Sequence, residues 1–106
     1  MSSDGIHTYL ITYDVSSDSL RDKISTRILR SGRRLQYSVF IVLASKVVFA
    51  ELHRDLLFLS RNGGAHIVSV KLGSGSSAES RITEYGEPLV GDGEIRPWHM
   101  PKGWKV

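Results

Sequence analysis

Two stretches of this chain carry apolar residues at helical spacing, and β-prone runs bracket each of them. Leu20, Ile24 and Ile28 recur every fourth residue, and Val48, Leu52, Leu56 and Leu59 keep a similar spacing. Each set gives a helix with one stripe to bury. His7 to Asp14 precedes the first and reads as a mostly apolar strand, central and buried on both faces. Arg34 to Leu43 lies between the two and alternates in the strand manner, as one long strand or as two pieces with a bend. His66 to Leu72 follows the second and reads as another strand.

Boundary signals agree with this division. Ser17 or Ser19 suits an N-cap, with Asp18 and Asp22 in the favourable first turn. Gly32 reads as the stop of the first helix, and Asn62-Gly63-Gly64 ends the second near Arg61. The run GSGSSAES at Gly73 to Ser80 reads as a flexible loop, and Arg81 to Tyr85 as a short edge strand. The order is β-α-β-(β)-α-β. A small sheet with both helices on one face buries both stripes most simply. That is the ferredoxin-like α+β sandwich, here with an extra C-terminal edge strand. Residues 1–86 form the domain and 87–106 a tail containing Trp98 and Trp104, which could anchor it on the domain or on a partner.

A chain of 106 residues makes one domain with a modest core, so association would help it. There are no cysteines, which excludes disulfides, thiolate metal sites and a Cys nucleophile. No basic-then-apolar leader and no membrane-length apolar run is visible, so the expected location is cytoplasmic, with no membrane partner. The net charge of +3 is mild, but its distribution is not. Arg21, Lys23, Arg27, Arg30, Arg33 and Arg34 face one acid, Asp22, between positions 21 and 34. Lys23, Arg27 and Arg30 should share an exposed helix face. Such a run is either a nucleic-acid surface or a solvated face.

Asp14 closes the first strand just before this basic helix. A hard cation such as Mg²⁺ uses one or two carboxylates and keeps several waters. Two copies of Asp14 across a two-fold axis could share one ion, whereas a lone Asp14 could equally cap the turn that follows. Tyr13 should point away from Asp14 by strand alternation. His7, His53, His66 and His99 show no metal-ligand spacing and read as structural or exposed. Ser38 has no His and Asp in triad order, and the GSGSS run lacks the Lys of a phosphate-binding loop.

YLITYDVSSDSLRDKI, then Gly32, then RLQYSVF, with HIVSVKL and ITEYGEP later, resembles the CRISPR-associated endoribonuclease family. These are the smaller of the two core spacer-adaptation proteins, and the resemblance runs from His7 to Pro88. It implies a ferredoxin-like fold and a homodimer with its sheets face to face, the strand near Ile82 crossing to the partner. It implies Mg²⁺-dependent cleavage of RNA or DNA, with Mn²⁺ as the second choice of metal. Asp14 would be the metal ligand and catalytic residue, and Tyr13 a catalytic neighbour. Arg21, Lys23 and Arg34 match basic positions near the active site, and Arg27 and Arg30 would extend the nucleic-acid surface. Ser38 and Phe40 fall at a dimer or active-site surface, although Phe40 on a β-branched strand also suits a core.

Three functions follow as alternatives. The first is a metal-dependent endonuclease of RNA or DNA. The second is a non-catalytic scaffold that holds duplex DNA and bridges the CRISPR integrase. The third, a ferredoxin-like module binding a small molecule, has only the fold behind it.

Overall fold

The computed structural model describes residues 5–87. Strand β1 (His7–Val15) leads to helix α1 (Asp18–Leu29), strands β2 (Gly32–Gln36) and β3 (Val39–Ala44), helix α2 (Lys46–Ser60) and strand β4 (Ala65–Ser74). A 3₁₀ turn over Ser76–Arg81 follows. The sequence readings of Trp98, Trp104 and His99 lie outside the described residues. Among the described residues no helix is long and apolar enough to cross a membrane.

The four strands form one sheet in the order β2-β3-β1-β4, with every neighbouring pair antiparallel. This is the ferredoxin-like α+β arrangement that the element order predicts. Alternation along β1 turns Tyr9, Ile11, Tyr13 and Val15 toward the helices, and the register sets Ile11 opposite Phe40 and Tyr9 opposite Val42. Ile24 and Ile28 of α1 and Leu52 and Leu56 of α2 close the core from above. Each such buried side chain stabilises the fold by about 1.5–3 kcal/mol. On α2 the stripe is shifted from its expected position. Val48 is exposed, and Phe49 packs instead, its ring stacked on Tyr9 at 3.7 Å.

Several expectations are corrected. Arg34 to Leu43 is two strands, joined by a turn at Tyr37 and Ser38. Gly32 does not stop α1. The helix ends at Arg30, whose N–H bonds back to the Arg27 carbonyl while the Ser31 N–H bonds to the Ile28 carbonyl, and Gly32 opens β2. The GSGSSAES run is not a free loop. Thr8 donates its hydroxyl to the Gly75 carbonyl at 2.9 Å, Gly75 N–H donates to the Ile6 carbonyl at 2.7 Å, and Ala78 is buried. No extra edge strand forms over Arg81 to Tyr85. Arg81 ends the 3₁₀ turn and residues 82–85 pair with no strand, because the segment leaves β4 across the sheet's open face instead of along its edge. There Glu79 forms an ion pair with Arg33 of β2, and Ile82 lies beside Ile41.

The basic face of α1 is also smaller than its spacing suggests. Arg27 is mostly buried and donates from Nε to Asp55 of α2 at 2.6 Å, and from Nη1 to Ser31 at 3.2 Å. Packing α2 beside α1 consumes this arginine. The bond from Arg27 holds the Asp55 carboxyl below its usual range. A carboxyl whose folded value is lowered adds stability above its unfolded value of about 4 and loses it as pH falls. Asp55→Asn should therefore be less stable than the parent at pH 7, and the two should converge toward pH 3. Thermal melts across that range check this.

Candidate metal and nucleic-acid site

The end of β1 is where the chemistry-bearing residues collect. The β1–α1 turn, the β2–β3 turn and the loop into β4 all meet there. Ser17 caps α1, its hydroxyl accepting from Leu20 N–H at 3.2 Å. Ser16 ties this turn to the next loop, donating to the Gly64 carbonyl from its N–H at 2.9 Å and its hydroxyl at 3.2 Å. Gly64 sits at φ +84°, in the left-handed region that favours glycine. Tyr13 N–H donates to the Ser38 carbonyl at 3.2 Å and so fastens the β2–β3 turn to the same place.

Asp14 stands on this frame with its side chain exposed on the sheet face away from the helices. The capping alternative is excluded by Ser17, which does that work. The Asp14 carboxylate has no hydrogen bond or ion pair among the described residues. An exposed carboxylate with no internal partner suits a hydrated divalent cation, which needs few protein oxygens. One chain supplies too little for a closed site: among the described residues no three or more His, Cys, Asp or Glu side chains come together.

Tyr13 faces the other way, buried under the helices, and does not share Asp14's surface. Burial raises its pKa, with the Arg34 charge pulling in the opposite direction. Arg34 is buried too, at 4% exposure, and is not available as a surface phosphate contact. Its register partner is Phe40, which turns its side chain to the helix-covered side. The guanidinium lies 4.8 Å from the Phe40 ring centre and donates from Nη1 to the Tyr37 carbonyl. Among the described residues its Nε and Nη2, like the Tyr13 hydroxyl, have no direct hydrogen-bond partner. Phe40 is fully buried against Tyr13, at 5.6 Å between ring centres, so it belongs to the core and not to a surface. Ser38 is half-buried in the turn and contributes its carbonyl.

Arg21 lies at the end of β1, beside Val15. It pairs with Asp18, donates from Nη2 to the Val15 carbonyl at 3.3 Å, and lies 5.9 Å from the Tyr37 ring centre. Its bond to Asp18 raises its pKa. Lys23 and Arg30 are exposed, but Arg30 caps the far end of α1, about 18 Å along a helix of twelve residues. The basic cluster thus divides. Arg21 stays at the β1 end, Lys23 is exposed on α1, Arg27 and Arg34 are spent on packing, and Arg30 is at the far end of the helix.

Two residues at this end were missed by sequence reasoning. Tyr37 lies between the Arg21 and Arg34 guanidinium groups, and His66 is the cross-strand partner of Asp14. Tyr37 sits inside RLQYSVF and could have been singled out there. His66 is distant in sequence, and only the strand register brings it close.

The family model described as CRISPR associated protein Cas2 matches residues 7–79. A curated relative, CRISPR-associated endoribonuclease Cas2 3 of Synechocystis sp., is 42% identical over 48 residues, which is 45% of this chain. The match spans about half, 52%, of that relative's length. Among solved structures, Streptococcus pyogenes Cas2 superposes with a TM-score of 0.64 at 21% identity, covering 74% of this chain and 99% of that one. A hypothetical protein of Thermus thermophilus gives 0.59 at 25% identity, covering 63% and 82%. With the fold and the matched span in agreement, the chain belongs to the Cas2 family of CRISPR-associated proteins.

Proposed function

We propose that this protein is a metal-dependent endonuclease of RNA or DNA in CRISPR adaptation, acting as a homodimer with Asp14 of each copy at one shared site. The observation that carries the reading is the Asp14 carboxylate, fixed on the central strand and exposed without a partner among the described residues. The relative named as an endoribonuclease supports it. The dimer is supported by the open sheet face, where Leu43, Val68 and Val70 are apolar and exposed. Covering these with a second copy removes apolar surface from water and brings two acids to one axis.

Asp14 would hold Mg²⁺ or Mn²⁺ together with its counterpart, and Arg21 and Lys23 would draw the phosphate backbone toward it. When bound, the cation supplies an activated water and neutralises charge on the phosphate. Arg21, already fixed on the Val15 carbonyl, keeps its positive charge at the strand end where the backbone must pass. Asp14→Asn should lower cleavage by at least about a hundredfold, the scale of losing one electrostatic stabiliser, with the fold intact. Labelled single-stranded RNA and duplex DNA, with Mg²⁺, Mn²⁺ or EDTA, provide the assay. Cleavage that survives Asp14→Asn would refute the assignment.

The second reading is a DNA-holding scaffold that bridges the CRISPR integrase. It is favoured by the exposed Lys23 and Arg30 and by the small number of ligands in one chain. Absence of cleavage by the parent protein under every metal, with salt-dependent DNA binding, would establish it over the first.

A further inference from the structure

Asp14 and His66 are direct register partners across β1 and β4. Side chains opposite each other in an antiparallel pair share one face and keep their Cβ atoms about 4.5–5.5 Å apart. Both residues are exposed. Neither side chain has a hydrogen bond or ion pair among the described residues. The next pair along the ladder, Val15 and Ala65, turns to the helix side, so the two polar groups stand at the rim of the open face. The strand ends that carry them are fastened together by the paired Ser16 bonds to the Gly64 carbonyl. The juxtaposition is therefore built into the backbone.

A carboxylate beside an imidazole is a mixed oxygen and nitrogen donor pair. Mg²⁺ prefers oxygen and gives up its waters reluctantly, whereas Mn²⁺, although the least nitrogen-seeking of the first-row transition ions, accepts an imidazole more readily than Mg²⁺ does. We infer that His66 is a nitrogen ligand for the same cation that Asp14 holds, and that it shifts the preference of the site from Mg²⁺ toward Mn²⁺. This rests on the metal reading of Asp14 and deepens it by naming a second ligand and a metal class. In a two-fold assembly each copy contributes one carboxylate and one imidazole, so the shared site gains two nitrogens.

The test uses the full chain, titrated by calorimetry with Mn²⁺ alone and with Mg²⁺ alone, and pulsed electron paramagnetic resonance of the Mn²⁺ complex. The parent should bind Mn²⁺ more tightly than Mg²⁺ and show a nitrogen hyperfine coupling. His66→Gln should abolish that coupling and weaken Mn²⁺ about tenfold while changing Mg²⁺ by less than about twofold. Asp14→Asn should remove binding of both ions. Unchanged Mn²⁺ affinity in His66→Gln, or no nitrogen coupling in the parent, overturns the His66 assignment. If Asp14→Asn still loses binding in that case, the Asp14 reading stands alone. Full Mn²⁺ affinity in Asp14→Asn, or none in the parent, overturns both. Because both side chains are exposed, the two variants should keep the parent's circular dichroism and melting profile.

Discussion

Gly32→Ala should cost about 3 kcal/mol or more, a large part of the roughly 5–15 kcal/mol that stabilises a domain of this kind. The reason is contact, not conformation, because Gly32 has an ordinary φ. A Cβ at this position would lie 2.2 Å from the Ile41 carbonyl oxygen and 2.7 Å from a Val42 methyl carbon. The first obstacle is backbone, so no side-chain rotation relieves it. β2 would have to lift from β3 at its first residue. Gly32 is the register partner of Val42, and the same ladder carries Arg34 and Phe40. Urea denaturation should show a midpoint far below that of the parent. Gly5→Ala is the control, since a Cβ there meets nothing within 4 Å and should leave the midpoint unchanged. Equal midpoints for the two variants would show that the close approach at Gly32 is relaxed at little cost.

Phe40→Ala should cost about 3–5 kcal/mol, the range for deleting a fully buried aromatic ring. Phe40 has no exposed surface and fills the space under β3 between Tyr13 and Arg34. Removing the ring leaves a cavity and takes the aromatic face away from a buried guanidinium whose Nε and Nη2 have no hydrogen-bond partner among the described residues. Phe40→Leu retains most of the volume and should cost about 1–2 kcal/mol. Denaturation of the three proteins gives the ordering. Cleavage or nucleic-acid binding should fall only in proportion to the folded fraction. A Phe40→Ala protein of full stability but reduced binding would instead place Phe40 at a functional surface.

The fold was legible because local signals and the global arrangement agree. The regular apolar spacing in α1 and α2, the Ser17 cap and the Asn62-Gly63-Gly64 stop each specify an element independently of tertiary context. Asp14 was legible because its position at a strand end follows from the run before it. The basic residues were not. A sequence shows that Arg27 and Arg34 are cationic, but not that α2 will present Asp55 to the first or that the β2 register will fold the second over Phe40. Gly32 was misassigned for a related reason. A glycine after a helix normally answers a local need, and here it answers the approach of another strand. His66 could not be found at all without pairing β1 to β4, since 52 residues separate it from Asp14. The segment after β4 looked flexible from its serines and glycines, yet its short side chains let it cross the sheet closely, with Ala78 against Gly73.

The division of labour at the β1–α1 turn has an evolutionary consequence. Capping falls to Ser17 and loop tethering to Ser16, which leaves the neighbouring acid with no duty in folding. Selection can therefore act on the chemistry of that position without a stability penalty to oppose it. On the proposed nuclease reading, a lineage that no longer needs strand scission can abandon the acid in one substitution and inherit an undamaged domain. On the two proposed readings, the same domain could then persist as a holder of nucleic acid, so cutting and scaffolding descendants could diverge from one ancestor without passing through an unfolded intermediate.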